Sequence, residues 1–118
     1  MAGVEAERPL VTALAHDALS ARLIARAGFR AFTVGGSALL ATRYGLPDIA
    51  LIGLRDMTDG LLDIAGATDL PFIADADDGY GDVKAVARTV ESYEAIGVGG
   101  MLFEDQQRER KQQRADRA

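Results

Sequence analysis

The stretch PFIADADDGYGD, residues 71–82, decides how the rest of the chain is read. An apolar run turns abruptly acidic, and Asp75, Asp77, Asp78 and Asp82 fall within eight positions. A short, near-continuous apolar run predicts a strand buried on both faces. The carboxylates then stand at that strand's C-terminal end. They either open a solvated loop or offer hard oxygen ligands to a cation.

The segments on either side repeat the same grammar. PLVTALA (9–15) predicts a buried strand, and DALSARLIARAG (17–28) a helix with Ala18, Leu19, Leu23, Ile24 and Ala27 at helical spacing. Asp17 suits its N-cap and Gly28 its stop. FRAFTVGG (29–36) is a strand and a glycine turn, SALLATRYG (37–45) a short helix, and LPDIALIGLRD (46–56) a loop with apolar anchors. A weaker helix over 55–68 is interrupted by Gly60 and Gly66. After the strand over 70–77, residues 82–97 form the best helix, with Val83, Val86, Val90, Tyr93 and Ile96 on one side and Gly97 closing it. A fourth strand spans 98–105.

The order β-α-β-α-α-β-α-β predicts an α/β fold of parallel strands covered by helices. Three polar clusters fall at strand C-terminal ends: Gly35 to Ser37, Asp75 to Asp78, and Glu104 to Gln106. Ligands of parallel α/β sheets and barrels bind at that edge.

Bulk composition narrows the function classes. The chain has 118 residues, one domain's worth, and its 48% hydrophobic content supports a core. No apolar run approaches the ~18 residues of a membrane span, so no membrane role is expected. The N-terminal residues lack the features of a secretory leader, and a cytoplasmic setting is the expectation. With no cysteine, disulfides, zinc thiolates and thiol nucleophiles are excluded. The net charge of −5 divides into −8 over 1–106 and +3 over 107–118. An acidic body argues against nucleic acid as the ligand. The tail QQRERKQQRADRA (106–118) is a break in composition, a solvated helix or a frayed end.

The acidic cluster does not spell an EF-hand, since a loop starting at Asp75 would place Gly79 fifth and Val86 twelfth. Nor does it complete D-x-D-x-[TV], because Gly79 stands in the last place. It fits a generic Mg²⁺ site with waters completing the shell, Glu104 facing the same mouth from the next strand. The alternative is a loop whose last acid, Asp82, caps a helix. VGGSAL (34–39) is neither G-x-G-x-x-G nor a P-loop; backbone N–H groups there suit a carboxylate cradle or a simple tight turn. His16, the only histidine, reads as structural or solvent-exposed, and Tyr44 and Tyr80 as packing residues near the mouth.

Taken together, residues 17–48, 69–82 and 86–106 resemble the N-terminal half of the isocitrate lyase/phosphoenolpyruvate mutase superfamily. The nearest branch is that of the phosphonomutases, methylisocitrate lyases and oxaloacetate decarboxylases. The resemblance covers about residues 10–106. It implies parallel β/α units forming the first half, about four strands, of a TIM-type (β/α)8 barrel of ~250 residues. It implies Mg²⁺, with Mn²⁺ as a substitute, held by Asp75, with Asp77 and Glu104 acting largely through bound waters. Asp48 of GLPD would lie near the metal on a mobile loop as a catalytic residue. Gly36 and Ser37 would bind the carboxylate of a small 2-oxo acid or phosphonate substrate. The reaction implied makes or breaks a bond beside a 2-oxo acid through a metal-stabilised enolate.

Two departures shape that expectation. Lyase members follow EDQ with a loop of the K-[KR]-C-G-H type, whereas this chain has only Arg110 or Lys111 near the lysine's place. That points away from isocitrate-type cleavage and leaves decarboxylase and mutase chemistry. The chain also supplies four strands of eight, so the expectation is a truncated form whose first and fourth strands are unpaired edges. A homo-oligomer, or association through those barrel edges, is expected. Two functions stay open: a Mg²⁺-dependent lyase, decarboxylase or phosphonomutase, and a non-catalytic fragment with an interaction or weak metal- or carboxylate-binding role.

Overall fold

A computed structural model describes residues 9–106. The basic tail expected over 107–118 lies outside the described residues. The elements run β1 (Ala13–Ala15), α1 (Ala18–Arg26), β2 (Phe32–Val34), α2 (Gly36–Tyr44), α3 (Leu54–Ala65), β3 (Phe72–Asp75), α4 (Val83–Ile96) and β4 (Gly100–Leu102). This is the order expected from the sequence. The four strands form one parallel sheet in the order β1-β2-β3-β4. Each strand is shorter than its apolar run, three or four residues, because the flanking residues leave the ladder to enter turns.

The helix ends follow local chemistry. Asp17 accepts from the Ser20 N–H at 2.7 Å while the Ser20 hydroxyl accepts from the Asp17 N–H, a reciprocal cap for α1. The Ser20 backbone N–H holds the Asp17 carboxyl below the usual aspartate range. Asp82 caps α4 through the Lys84 and Ala85 N–H groups, and Gly97 ends it in the left-handed region at φ +94°. Asp56 accepts from the Gly53 N–H at the start of α3.

The register separates two faces of the sheet. Ala13, Phe32 and Phe72 lie side by side, as do Ala15, Val34, Ala74 and Met101. These rows pack beneath the helices, and Phe32 stacks on Phe72 at 5.0 Å between ring centroids. Met57, Leu61 and Ile64 of α3 and Leu39 and Leu40 of α2 complete the core. The opposite face carries Leu14, Thr33, Ile73 and Gly100 in one row and Asp75 beside Leu102 in the next. Among the described residues no helix covers it, and Leu14 and Leu102 are each more than half exposed. Asp75 therefore stands on the open face at the C-terminal edge. No helix among the described residues is long and apolar enough to cross a membrane.

Three expectations about packing need correction. Gly60 does not interrupt α3: it lies within the helix, and its missing side chain makes room for Leu39. Leu19 and Leu23 share helical spacing with the α1 core residues but are exposed; Ala21 and Ile24 are the buried pair. Val83 is exposed in the first turn of α4, where Thr89 and Tyr93 take the fully buried places.

A Cβ at position 60 would stand 2.7 Å from Leu39 Cδ1. Alanine is the better helix former by about 1 kcal/mol, but overpacking a filled core costs about 1–3 kcal/mol. Gly60→Ala is therefore expected to lower stability by about 1–2 kcal/mol, read from the urea unfolding midpoint at unchanged m-value.

Candidate active site at the strand ends

The site grows from the end of β3. Asp75 is half-buried, and its carboxylate reaches in two directions. Oδ2 accepts the Gly36 N–H at 3.0 Å, tying β3 to the first residue of α2. Oδ1 accepts the Asp77 N–H at 2.8 Å, folding the acidic segment back over the strand end. A hydrogen bond to a carboxylate is stronger than one between neutral groups, which suits a contact that bridges separate β/α units.

Glycine at position 36 leaves the Asp75 carboxylate its place; the preference comes from space, not from backbone angle. A Cβ there would lie 2.9 Å from Asp75 Oδ2. The acidic segment is also held from β4 and the residues after it: the Ala76 N–H donates to the Leu102 carbonyl, and the Glu104 N–H to the Asp77 carbonyl at 2.7 Å. Asp77 occupies the left-handed region at φ +50°, an uncommon state for a residue other than glycine. Asp78 accepts from the Tyr80 N–H, and Tyr80 too has a positive φ, +65°.

Beneath this turn lies a pair of tyrosines. The Tyr93 hydroxyl donates to the Asp75 carbonyl at 2.9 Å and lies 3.3 Å from the Tyr80 hydroxyl. The single Tyr93 proton is committed to the carbonyl, so Tyr80 is the donor between the two rings. Burial, the neighbouring Tyr93 and the Asp75 and Asp77 charges push the Tyr80 hydroxyl far above its ordinary value. Burial first, then the Asp75 and Asp77 charges, pushes the Tyr93 hydroxyl up to about 12, against the Tyr80 hydrogen bond. Both phenols are protonated donors at neutral pH. One turn earlier on α4, the buried Thr89 hydroxyl lies 3.0 Å from the Gly79 carbonyl and 2.9 Å from the Ala85 carbonyl, its one proton shared between the turn and the helix.

The structure thus brings Gly36, Asp75, Asp77 and the Glu104 backbone into one hydrogen-bonded set. Ser37 follows Gly36 in the first turn of α2 and is exposed. Glu104 is exposed, with its carboxylate bonded to the Gln106 amide. Asp48 lies on the exposed loop between α2 and α3. Among the described residues, no group of three or more acidic or histidine side chains is gathered closely enough to hold a metal unaided. The donor set is nevertheless right for a hard cation: each Asp75 oxygen accepts one hydrogen bond and keeps further lone-pair capacity, with water to complete the shell.

The other candidates lie elsewhere. His16 Nε2 is 3.8 Å from Asp17 Oδ2, and the Tyr44 hydroxyl is bonded to Asp56 at the surface. A surface hollow of about 360 Å³ is lined by His16, Asp17, Thr42, Arg43, Gly60 and Asp63, and none of these belongs to the acidic turn. Thr89 was missed as a site-supporting residue, because a lone threonine in an amphipathic helix reads as surface. Tyr93 was legible only as a core residue; its phenol, four positions from Thr89, was the available signal.

Comparison with known proteins bears on this geometry. The phosphoenolpyruvate phosphomutase family model matches residues 4–118. An oxaloacetate decarboxylase of Bradyrhizobium sp. strain BTAi1 is 40% identical over 99 residues, covering 84% of this chain and 34% of that protein. The crystal structure of an oxaloacetate acetylhydrolase matches with TM-score 0.81 at 41% identity, over 86% of this chain and 36% of the other. A phosphonopyruvate hydrolase solved with oxalate and Mg²⁺ matches with TM-score 0.72 at 34% identity, over 83% of this chain and 35% of the other. The chain spans about a third of the length of these relatives.

Gly36→Ala tests the bridge between β3 and α2. The added methyl displaces Asp75 Oδ2, and a hydrogen bond to a charged group contributes about 1.5–3 kcal/mol. Amide exchange at position 36 is expected to quicken by at least about tenfold, with a smaller rise at position 77, as read by NMR.

Proposed function

Because this chain belongs to the phosphoenolpyruvate phosphomutase family, we propose that its acidic turn serves Mg²⁺-dependent chemistry on a small 2-oxo acid or phosphonate. The observation that carries this reading is the Asp75 carboxylate, fixed at the open end of β3 by the Gly36 and Asp77 N–H groups. The relatives are lyases, decarboxylases and mutases, so the coarse class is common to them.

Asp75 would hold the cation directly, with Asp77 and Glu104 acting through water. When bound, Mg²⁺, or Mn²⁺ in its place, supplies a Lewis acid that stabilises negative charge developing beside the oxo group. Gly36 and Ser37, at the N-terminus of α2, would receive the substrate carboxylate through backbone N–H groups. That carboxylate competes with Asp75 for the Gly36 N–H, which links substrate entry to the position of the acid. Asp48, on its exposed loop, would act from above the strand ends. Cysteine-dependent cleavage is not part of the reading, since the chain has no cysteine.

The test is turnover of oxaloacetate and phosphonopyruvate with and without Mg²⁺. Turnover that is abolished by EDTA, and reduced by at least about 100-fold in Asp75→Ala, is the expected result, on the scale of losing one pre-organised electrostatic contact. Metal-independent turnover, or none from folded protein, sinks it. In that case the second reading, a non-catalytic role in binding, would stand.

We also propose that the chain self-associates. β1 and β4 are sheet edges, and Val11, Leu14, Leu102 and Phe103 beside them are exposed. Free edges and an uncovered apolar face are relieved by a second copy. Light scattering at micromolar concentration should return a dimer or larger species, and a stable monomer would refute the assembly.

A further inference from the structure

The acidic turn is gripped by α4 at both ends. The Asp75 carbonyl accepts from the Tyr93 hydroxyl, and the Gly79 carbonyl, 3.0 Å from the Thr89 hydroxyl, shares that hydroxyl's proton with the Ala85 carbonyl of α4. Thr89 and Tyr93 are four residues apart, hence on one face of the helix, and both are fully buried. Apolar residues of similar shape would fill the same space without a polar group to satisfy. The turn between the two carbonyls contains Asp77 in the left-handed region. A residue other than glycine persists there only where its surroundings over-determine the backbone. The two hydroxyls of α4, together with the Glu104 N–H just past β4, supply that constraint.

We propose that Thr89 and Tyr93 form a hydroxyl clamp that pre-sets the acidic turn for a divalent cation, Tyr80 orienting the Tyr93 phenol. They are positioning residues: neither side chain is a ligand in this scheme. The inference rests on Asp75 being a cation ligand. Loss of one hydroxyl leaves the packing but frees the turn to leave the binding geometry, so affinity falls while the fold stays.

Mn²⁺ binding by the full chain, followed by paramagnetic resonance at a temperature where every variant is folded, tests the clamp. Wild type binds and Asp75→Asn does not. Tyr93→Phe and Thr89→Val are each expected to weaken binding by about 3- to 10-fold, the scale of one hydrogen bond. Gly60→Ala, which lowers stability away from the turn, keeps wild-type affinity and separates positioning from general loosening. Wild-type affinity in both hydroxyl variants, or an equal loss in Gly60→Ala, overturns the clamp while leaving Asp75 as a ligand. If wild type binds no Mn²⁺, the cation reading itself falls, and the clamp's purpose with it. Should Tyr93→Phe fail to fold, Thr89→Val decides alone.

Discussion

Everything at the carboxyl edge of the sheet depends on the Asp75 carboxylate having two backbone N–H partners. One comes from Gly36, across the β2–α2 junction, and the other from Asp77, two residues on in the same chain. A carboxylate at a strand end exposed to water would be free to rotate. Two charge-assisted hydrogen bonds in different directions fix it instead. The Gly36 contact also ties separate β/α units together at the end where the strands finish.

That arrangement needs a fold that delivers its parts to one edge. Parallel strands do so without special provision, because every β-to-α turn emerges at the same side. The sheet's two faces then divide the labour. Phe32, Phe72, Val34 and Ala74 bind the helices to one face, and the other face is left for Asp75 and whatever covers Leu14 and Leu102. Glycine appears at position 36 because the carboxylate needs the space a methyl would fill.

Much of this was legible from residue order. The eight elements follow from apolar runs, caps and glycine stops, and Asp75 is marked by the sudden change from Pro-Phe-Ile-Ala to acid. Gly36 is marked by its turn, but not its bond to Asp75, because a contact 39 residues apart leaves no local trace. Leu19 and Leu23 show why periodicity misleads: spacing says which residues share a face, not what lies opposite that face. Val83 failed for a related reason, since the first turn of α4 projects beyond the core. Gly60 read as a breaker because helix propensity ignores Leu39 packing against it. Asp48 stands on the exposed loop that the reading of 46–56 anticipated.

The left-handed Asp77 has an implication for how the site would come apart. Its backbone state is maintained by groups from α4, β4 and β3 together, none of which is a mobile loop tip. Segments held only by their own local turns open independently of the rest of a protein, whereas those bonded to several core elements open only when those elements separate. The acidic turn belongs to the second kind. Heat or denaturant should therefore erase it in the same cooperative step as the sheet, with no half-melted state in which the β/α units stand and the carboxylates have scattered.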